Sequence, residues 1–144
     1  MLSDTVWNDA YHRAKKVAEE QGITLVDVLL QPEAERPALH WRMEALASHS
    51  DRLGMGEDAN EEEGEIAFRL CARVGEVSTP EALELCKAMS IAFRANLEGA
   101  QPYPEGLYYD GQSLYPPEPD TTGNWISMAL IVRYRFQDRI EPPS

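Results

Sequence analysis

Few side chains in this sequence have the types and spacings that do covalent chemistry. His40, His49 and Asp51 lie close in sequence and, with His12, suggest a metal or acid–base group. His40 and His49 flank one extended segment, however, and nine residues of strand span roughly 30 Å, too far for shared ligation unless the chain turns between them. They read as surface or interface histidines. Gly111-Gln112-Ser113-Leu114-Tyr115 begins like a nucleophile elbow, but tyrosine stands where the last glycine belongs and no long apolar strand leads into it. Gly54-Met55-Gly56 is followed by Glu57-Asp58, whose charges repel a phosphate. The run 54–65 carries six acids and no base, without the alternating oxygen ligands and central glycine of a calcium loop. Cys71 and Cys86 are spaced unlike a zinc pair and are too few for a disulfide framework, so both are expected to be reduced structural thiols. The expectation is no catalytic residue, no metal and no cofactor: a protein that is not an enzyme.

Aromatic residues give a different signal. Trp7 and Trp41 fall on apolar faces and belong to the core. Trp125 and the tyrosines 103, 108, 109 and 115 lie at loops and strand ends, which suits a protein–protein interface, where aromatics are enriched.

The elements that hold these residues can be read from periodicity. Ser3 can cap a helix with Trp7, Ala10, Tyr11, Ala14, Val17 and Ala18 on one stripe, Arg13 and the other charges elsewhere on the wheel, and Gly22 as its stop. Ile23 to Leu30 is ambiguous between strand and short helix; its β-branched content and flanking Gly22 and Pro32 favour extended structure. Leu39, Trp41, Met43 and Ala45 alternate with polar residues as a strand. Ile66, Phe68, Leu70 and Ala72 do the same, with Glu65, Arg69 and Arg73 on the opposite face. Ser78-Thr79-Pro80-Glu81 is a capping sequence for a helix whose stripe runs from Ala82 through Cys86, Met89 and Phe93 to Leu97, before Glu98-Gly99 stops it. Asp110-Gly111 predicts a tight turn in an irregular tyrosine-rich segment. Trp125 to Phe136 is the cleanest strand, expected to be central because Ala129 and Ile131 make its second face partly apolar.

These elements predict one α+β domain over residues 1–144. Its two layers are a mainly antiparallel sheet of four to five strands and two helices packed on one face. A long acidic hairpin loop, 54–64, is expected to be solvated and mobile in the monomer because it has too little apolar surface to offset its ordering entropy. The tail 137–144, with Pro142-Pro143, is expected to be loose.

The net charge of −12 disfavours an electrostatic grip on nucleic acid or anionic lipid. No apolar run has the length of a membrane span, and Met1-Leu2-Ser3-Asp4 lacks the basic and apolar regions of a signal peptide, so the protein is expected to work where it is made.

The order of motifs resembles the tail terminator proteins of long-tailed, lambda-like bacteriophages. The features that carry the resemblance are Pro37-Ala38-Leu39-His40-Trp41 opening a strand, the acidic hairpin, Glu65 to Val74 returning, the helix after Pro80, a tyrosine-containing segment, and a closing strand with Trp125-Ile126-Ser127 and Tyr134. Related neck and head–tail joining proteins share this look. The resemblance implies a virion protein, assembled in the host cytoplasm, that closes into a homohexameric ring at the head-proximal end of the tail tube. Such a ring halts tube polymerisation and offers a surface for head joining. Its partners would be further copies of itself, the tail tube protein and a head completion or connector protein, with DNA passing through without sequence-specific binding and no membrane involved. Glu57, Asp58, Glu61, Glu62 and Glu63 are then candidates for a phosphate-repelling lumen or a docking loop. Arg69, Arg73, Tyr108, Tyr109, Tyr115, Trp125, Arg133 and Arg135 are candidates for subunit contacts. Another neck subunit, or a small monomeric enzyme or ligand-binding domain, is the competing expectation.

Overall fold

The computed structural model of the chain describes residues 2–27, 29–30, 32, 35–53, 59–94 and 102–139, the side chains of 51–53, 59, 138 and 139 excepted. The order of elements is α1 (Asp4–Gln21), β1 (Thr24–Val26), β2 (Leu39–Leu53), β3 (Ala59–Arg73), α2 (Thr79–Ile91), β4 (Leu107–Pro119) and β5 (Trp125–Arg139). The strands form one sheet in the order β1-β2-β3-β5-β4, antiparallel except for the short parallel pairing of β1 with β2. The fold is therefore α+β, with both helices on one face of a mostly antiparallel sheet.

Local sequence accounts for the helix ends. Ser3 accepts a hydrogen bond from the Val6 N–H at the start of α1, and Gly22 closes it at φ +70° with its N–H turned back to Ala18 and Glu19. Ser78 caps α2 by accepting from the Glu81 N–H and donating its hydroxyl proton to the Glu81 carboxylate.

The core lies between the helices and the even-numbered residues of β3 and β5. Ile66, Phe68 and Leu70 of β3 and Met128, Leu130 and Val132 of β5 pack with Val6, Ala10 and Ala14 of α1 and Cys86 and Met89 of α2. Trp41 is fully buried in this layer, and its indole N–H donates to Gln21 Oε1 at 2.8 Å. The Gln21 amide in turn donates to the Leu85 carbonyl, tying α1, α2 and β2 together. Trp7 packs partly buried at the margin.

Several expectations need correction. The acidic run is not all loop, against what its composition predicts, because β3 begins at Ala59. Glu61, Glu62 and Glu63 are strand residues paired with both β2 and β5. Neighbouring strands satisfy their backbone groups, so the acidic composition did not prevent pairing. Glu57 and Asp58 lie outside the described residues. The helix α2 stops at Ile91, yet Phe93 still enters the core from the turn that follows; the expected stop at Glu98-Gly99 lies outside the described residues. Asp110-Gly111 is a bulge within β4, not a hairpin turn. The Arg133 guanidinium lies over Gly111, in the space that a Cβ there would occupy. The β4–β5 turn instead uses Gly123 at φ +75°. The interior position of β5 is as expected, although β3 is the middle strand. β5 continues to Arg139, into the stretch expected to be loose, and residues 140–144 lie outside the described ones.

Candidate functional site

Alternation along paired strands divides the sheet into a face under the helices and a face that neither helix covers. On β3 and β5 the odd-numbered residues occupy the open face, and register aligns Glu61 with Gln137, Glu63 with Arg135, Glu65 with Arg133, Ala67 with Ile131, Arg69 with Ala129 and Arg73 with Trp125. On β4, Tyr108 lies beside Arg135 and Tyr115 beside Ala129. Seven of the eight candidate contact residues thus share the open face: Arg69, Arg73, Tyr108, Tyr115, Trp125, Arg133 and Arg135. Ala67, Ala129 and Ile131 form a small buried apolar centre within it, with Leu46 packed alongside.

The eighth, Tyr109, goes the other way. It packs edge-on against Phe93 and Tyr103, and its hydroxyl donates to Asp9 Oδ2 at 2.6 Å. Burial and that hydrogen bond to a carboxylate raise its pKa well beyond the ordinary phenol range. Asp9 also receives Arg13 Nε at 2.7 Å, and the Arg13 guanidinium donates to the carbonyls of Ala92 and Pro102. Arg13, expected on the polar side of α1, is therefore buried, and this network fixes both ends of the α2–β4 connection. Spacing of four between Asp9 and Arg13 was its only signal in the sequence.

Glu62 also departs from expectation. It lies on the helix-facing side and is only 7% exposed. Its Oε2 accepts from the Tyr134 hydroxyl at 2.7 Å and from the Ser3 N–H at 3.3 Å. Burial and the Glu62 carboxylate raise the Tyr134 pKa. Tyr134 lies across Gly64, where a Cβ would meet its hydroxyl oxygen at 2.7 Å. Glu62 is thus a structural anchor between the hairpin and the start of α1, not a solvated loop residue. Extending the alternation of Ile66 and Phe68 back four residues would have found it.

Charge on the open face is arranged in two zones. Towards the start of β2, Arg42 and Arg69 are register partners, and one carboxylate serves both: Glu44 lies 2.8 Å from Arg42 and 2.9 Å from Arg69. Beside them the Arg73 guanidinium stacks over Trp125 at 5.3 Å from the ring centroid, and His40 meets the same ring edge-on at 5.5 Å. At the hairpin end Arg135 is shared among Asp110 at 3.4 Å, Glu63 at 3.5 Å and Glu61 at 3.9 Å, and its side chain remains 54% exposed. A cleft of about 440 Å³ opens there, lined by His49, Glu63, Glu65, Asp110, Arg133 and Arg135.

A smaller cleft of about 250 Å³ bears on the enzyme alternative, because it brings His40, Cys71 and Ser127 into one row of the open face. His40, expected to be a surface or interface histidine, is buried within the chain. Its Nδ1 lies 2.8 Å from the Pro37 carbonyl, and burial lowers its pKa. The Cys71 thiol is pushed up by burial in spite of Arg42 and Arg69, so it stays protonated, the reverse of what a Cys–His nucleophile needs. Cys86 is likewise raised, to about 11, by burial. Among the described residues no three His, Cys, Asp or Glu side chains gather as a metal site would require, and no helix is long and apolar enough to cross a membrane.

No family model matches the chain, and no curated protein does either. Among solved structures, one that is 14% identical superposes over 98% of this chain and 99% of its own length with a TM-score of 0.62. Likeness at that identity establishes a shared fold.

Proposed function

We propose that this chain is a structural subunit of the tail-terminator type, whose copies close into a ring at the head-proximal end of a phage tail tube, stop its polymerisation and present a surface for head joining. One observation carries the reading. Seven aromatic and basic residues singled out as contact candidates converge on the single sheet face that neither helix covers. Exposed Arg and Tyr on a firm platform are the composition of a recognition surface. The sharing of Arg135 among three acids, at distances longer than a tight bidentate pair and with half its side chain in solvent, leaves charge that can re-pair across an interface at small cost. Glu61 and Glu63 put acidity at the hairpin end of the same face, and such acidity would keep DNA phosphates from adhering to a ring.

A solution mass measurement tests the ring, with a mass near six chains expected at micromolar concentration and a strict monomer at every concentration and salt overturning it. Deleting the gene from its phage tests the terminator role. Overlong tails are the expected outcome, whereas tails of normal length that lack heads would assign the chain to joining instead.

A further inference from the structure

The two edges of the sheet carry features that the open face does not explain. After β1, the Leu29 N–H is held by Asp27 Oδ1 at 2.9 Å and the Leu30 N–H by the Asp27 carbonyl at 3.1 Å. This turn presents Leu29 at 91% exposure and Leu30 at 78%, the highest values of any large hydrophobic residue among those described. Exposed Asp27 opens this turn, and exposed Glu35 follows it in sequence. At the opposite edge, α2 and β4 enclose a groove of about 280 Å³ with Leu83 and Leu114 on its walls, Leu130 of β5 on its floor and Lys87 and Arg94 along it. Leu83 and Leu114 are 44% and 43% exposed.

We infer that the Leu29–Leu30 turn of one copy seats in the α2–β4 groove of the next, with Asp27 and Glu35 meeting Lys87 and Arg94. The inference rests on the ring reading and names the contact that would build it. β1 and β4 are separated by four strand spacings, ~19 Å, so a chain cannot fill its own groove. A knob on one edge and a socket on the other make a heterologous contact, which each copy uses once as donor and once as acceptor, the pattern that closes into a ring. Apolar knob matches apolar groove, and the two acids match the two bases along it. Two leucines bury less surface than a stable interface needs, so they anchor a larger contact along the two edges.

Two variants test this: Leu29→Asp with Leu30→Asp in the knob, and Leu83→Asp with Leu114→Asp in the groove. Both are surface changes, and unchanged thermal unfolding confirms that each still folds. Each variant alone should sediment as a monomer at concentrations where the wild-type chain is oligomeric, with self-association weaker by roughly a hundredfold or more. Mixed in equal amounts they should form a dimer and go no further, because one intact knob then faces one intact groove. If the wild-type chain assembles and both variants assemble equally well, this contact is wrong and the ring stands. Monomeric variants that give no dimer on mixing also overturn it, since the knob then meets some other surface. A wild-type chain that stays monomeric overturns contact and ring together.

Discussion

The two faces of the central strands put the same kinds of side chain to opposite uses. Under the helices, Glu62, Asp9 and Arg13 are buried acids and bases with short, specific partners, and each joins segments distant in sequence. On the open face, Arg135, Glu61 and Glu63 sit one residue away in alternation but share their partners at longer range, partly in solvent. Burial makes the difference. A charge withdrawn from water must be fully partnered or it destabilises the fold, so closed-face pairs are fixed. Charges left in water exchange partners at little cost and remain available to a second surface.

Three measurements break or sharpen that comparison. The largest effect belongs to the closed face itself: Phe93→Ala removes a buried ring that packs at 4.9 Å from both Phe68 and Tyr109 and should cost about 3–5 kcal/mol in chemical denaturation. A loss below ~1 kcal/mol would mean that the segment after α2 is not part of the core. Next comes the contrast among neighbouring glutamates. Glu62→Leu deprives the buried Tyr134 hydroxyl and the Ser3 N–H of their shared acceptor and should cost about 1–3 kcal/mol. Glu61→Gln with Glu63→Gln, on the open face, should shift stability by no more than about 1 kcal/mol. Equal costs for the two variants would erase the distinction between the faces.

The smallest effect is a pH dependence. His40 is buried with a pKa below its ordinary 6.5, so just below pH 6.5 the unfolded chain binds a proton that the folded chain does not. Stability therefore rises with pH through that window and falls as pH drops below 6.5. His40→Asn, which keeps a donor for the Pro37 carbonyl, should flatten the slope of melting temperature between pH 5 and 7. An unchanged slope would assign that acid sensitivity to other groups.

What could be read from the sequence was local. The Ser3 and Ser78 caps, the Gly22 stop and the alternation from Ile66 to Ala72 and from Ile126 to Phe136 each depend on a few consecutive residues, so the two helices, the main strands and the α+β class followed from them. The same alternation put Arg69, Arg73, Arg133 and Arg135 opposite the core. The errors arose where distant partners decide. Acidic composition made 59–64 read as loop, but pairing on both sides makes it strand. Asp110-Gly111 has the chemistry of a turn, but the pairing of β4 with β5 on both sides of it makes it a bulge. Arg13 and His40 did not read as buried within the chain because nothing within a few residues shows what will cover them.

The sequence by itself determined which stretches coil, which extend and which side of each faces the core, because caps and periodicity act over one or two turns of chain. Only the tertiary structure decided the strand order, the burial of Tyr109, and the placement of the Leu29–Leu30 turn and the α2–β4 groove on opposite edges. Those depend on contacts between residues up to 100 positions apart, and no local pattern encodes them.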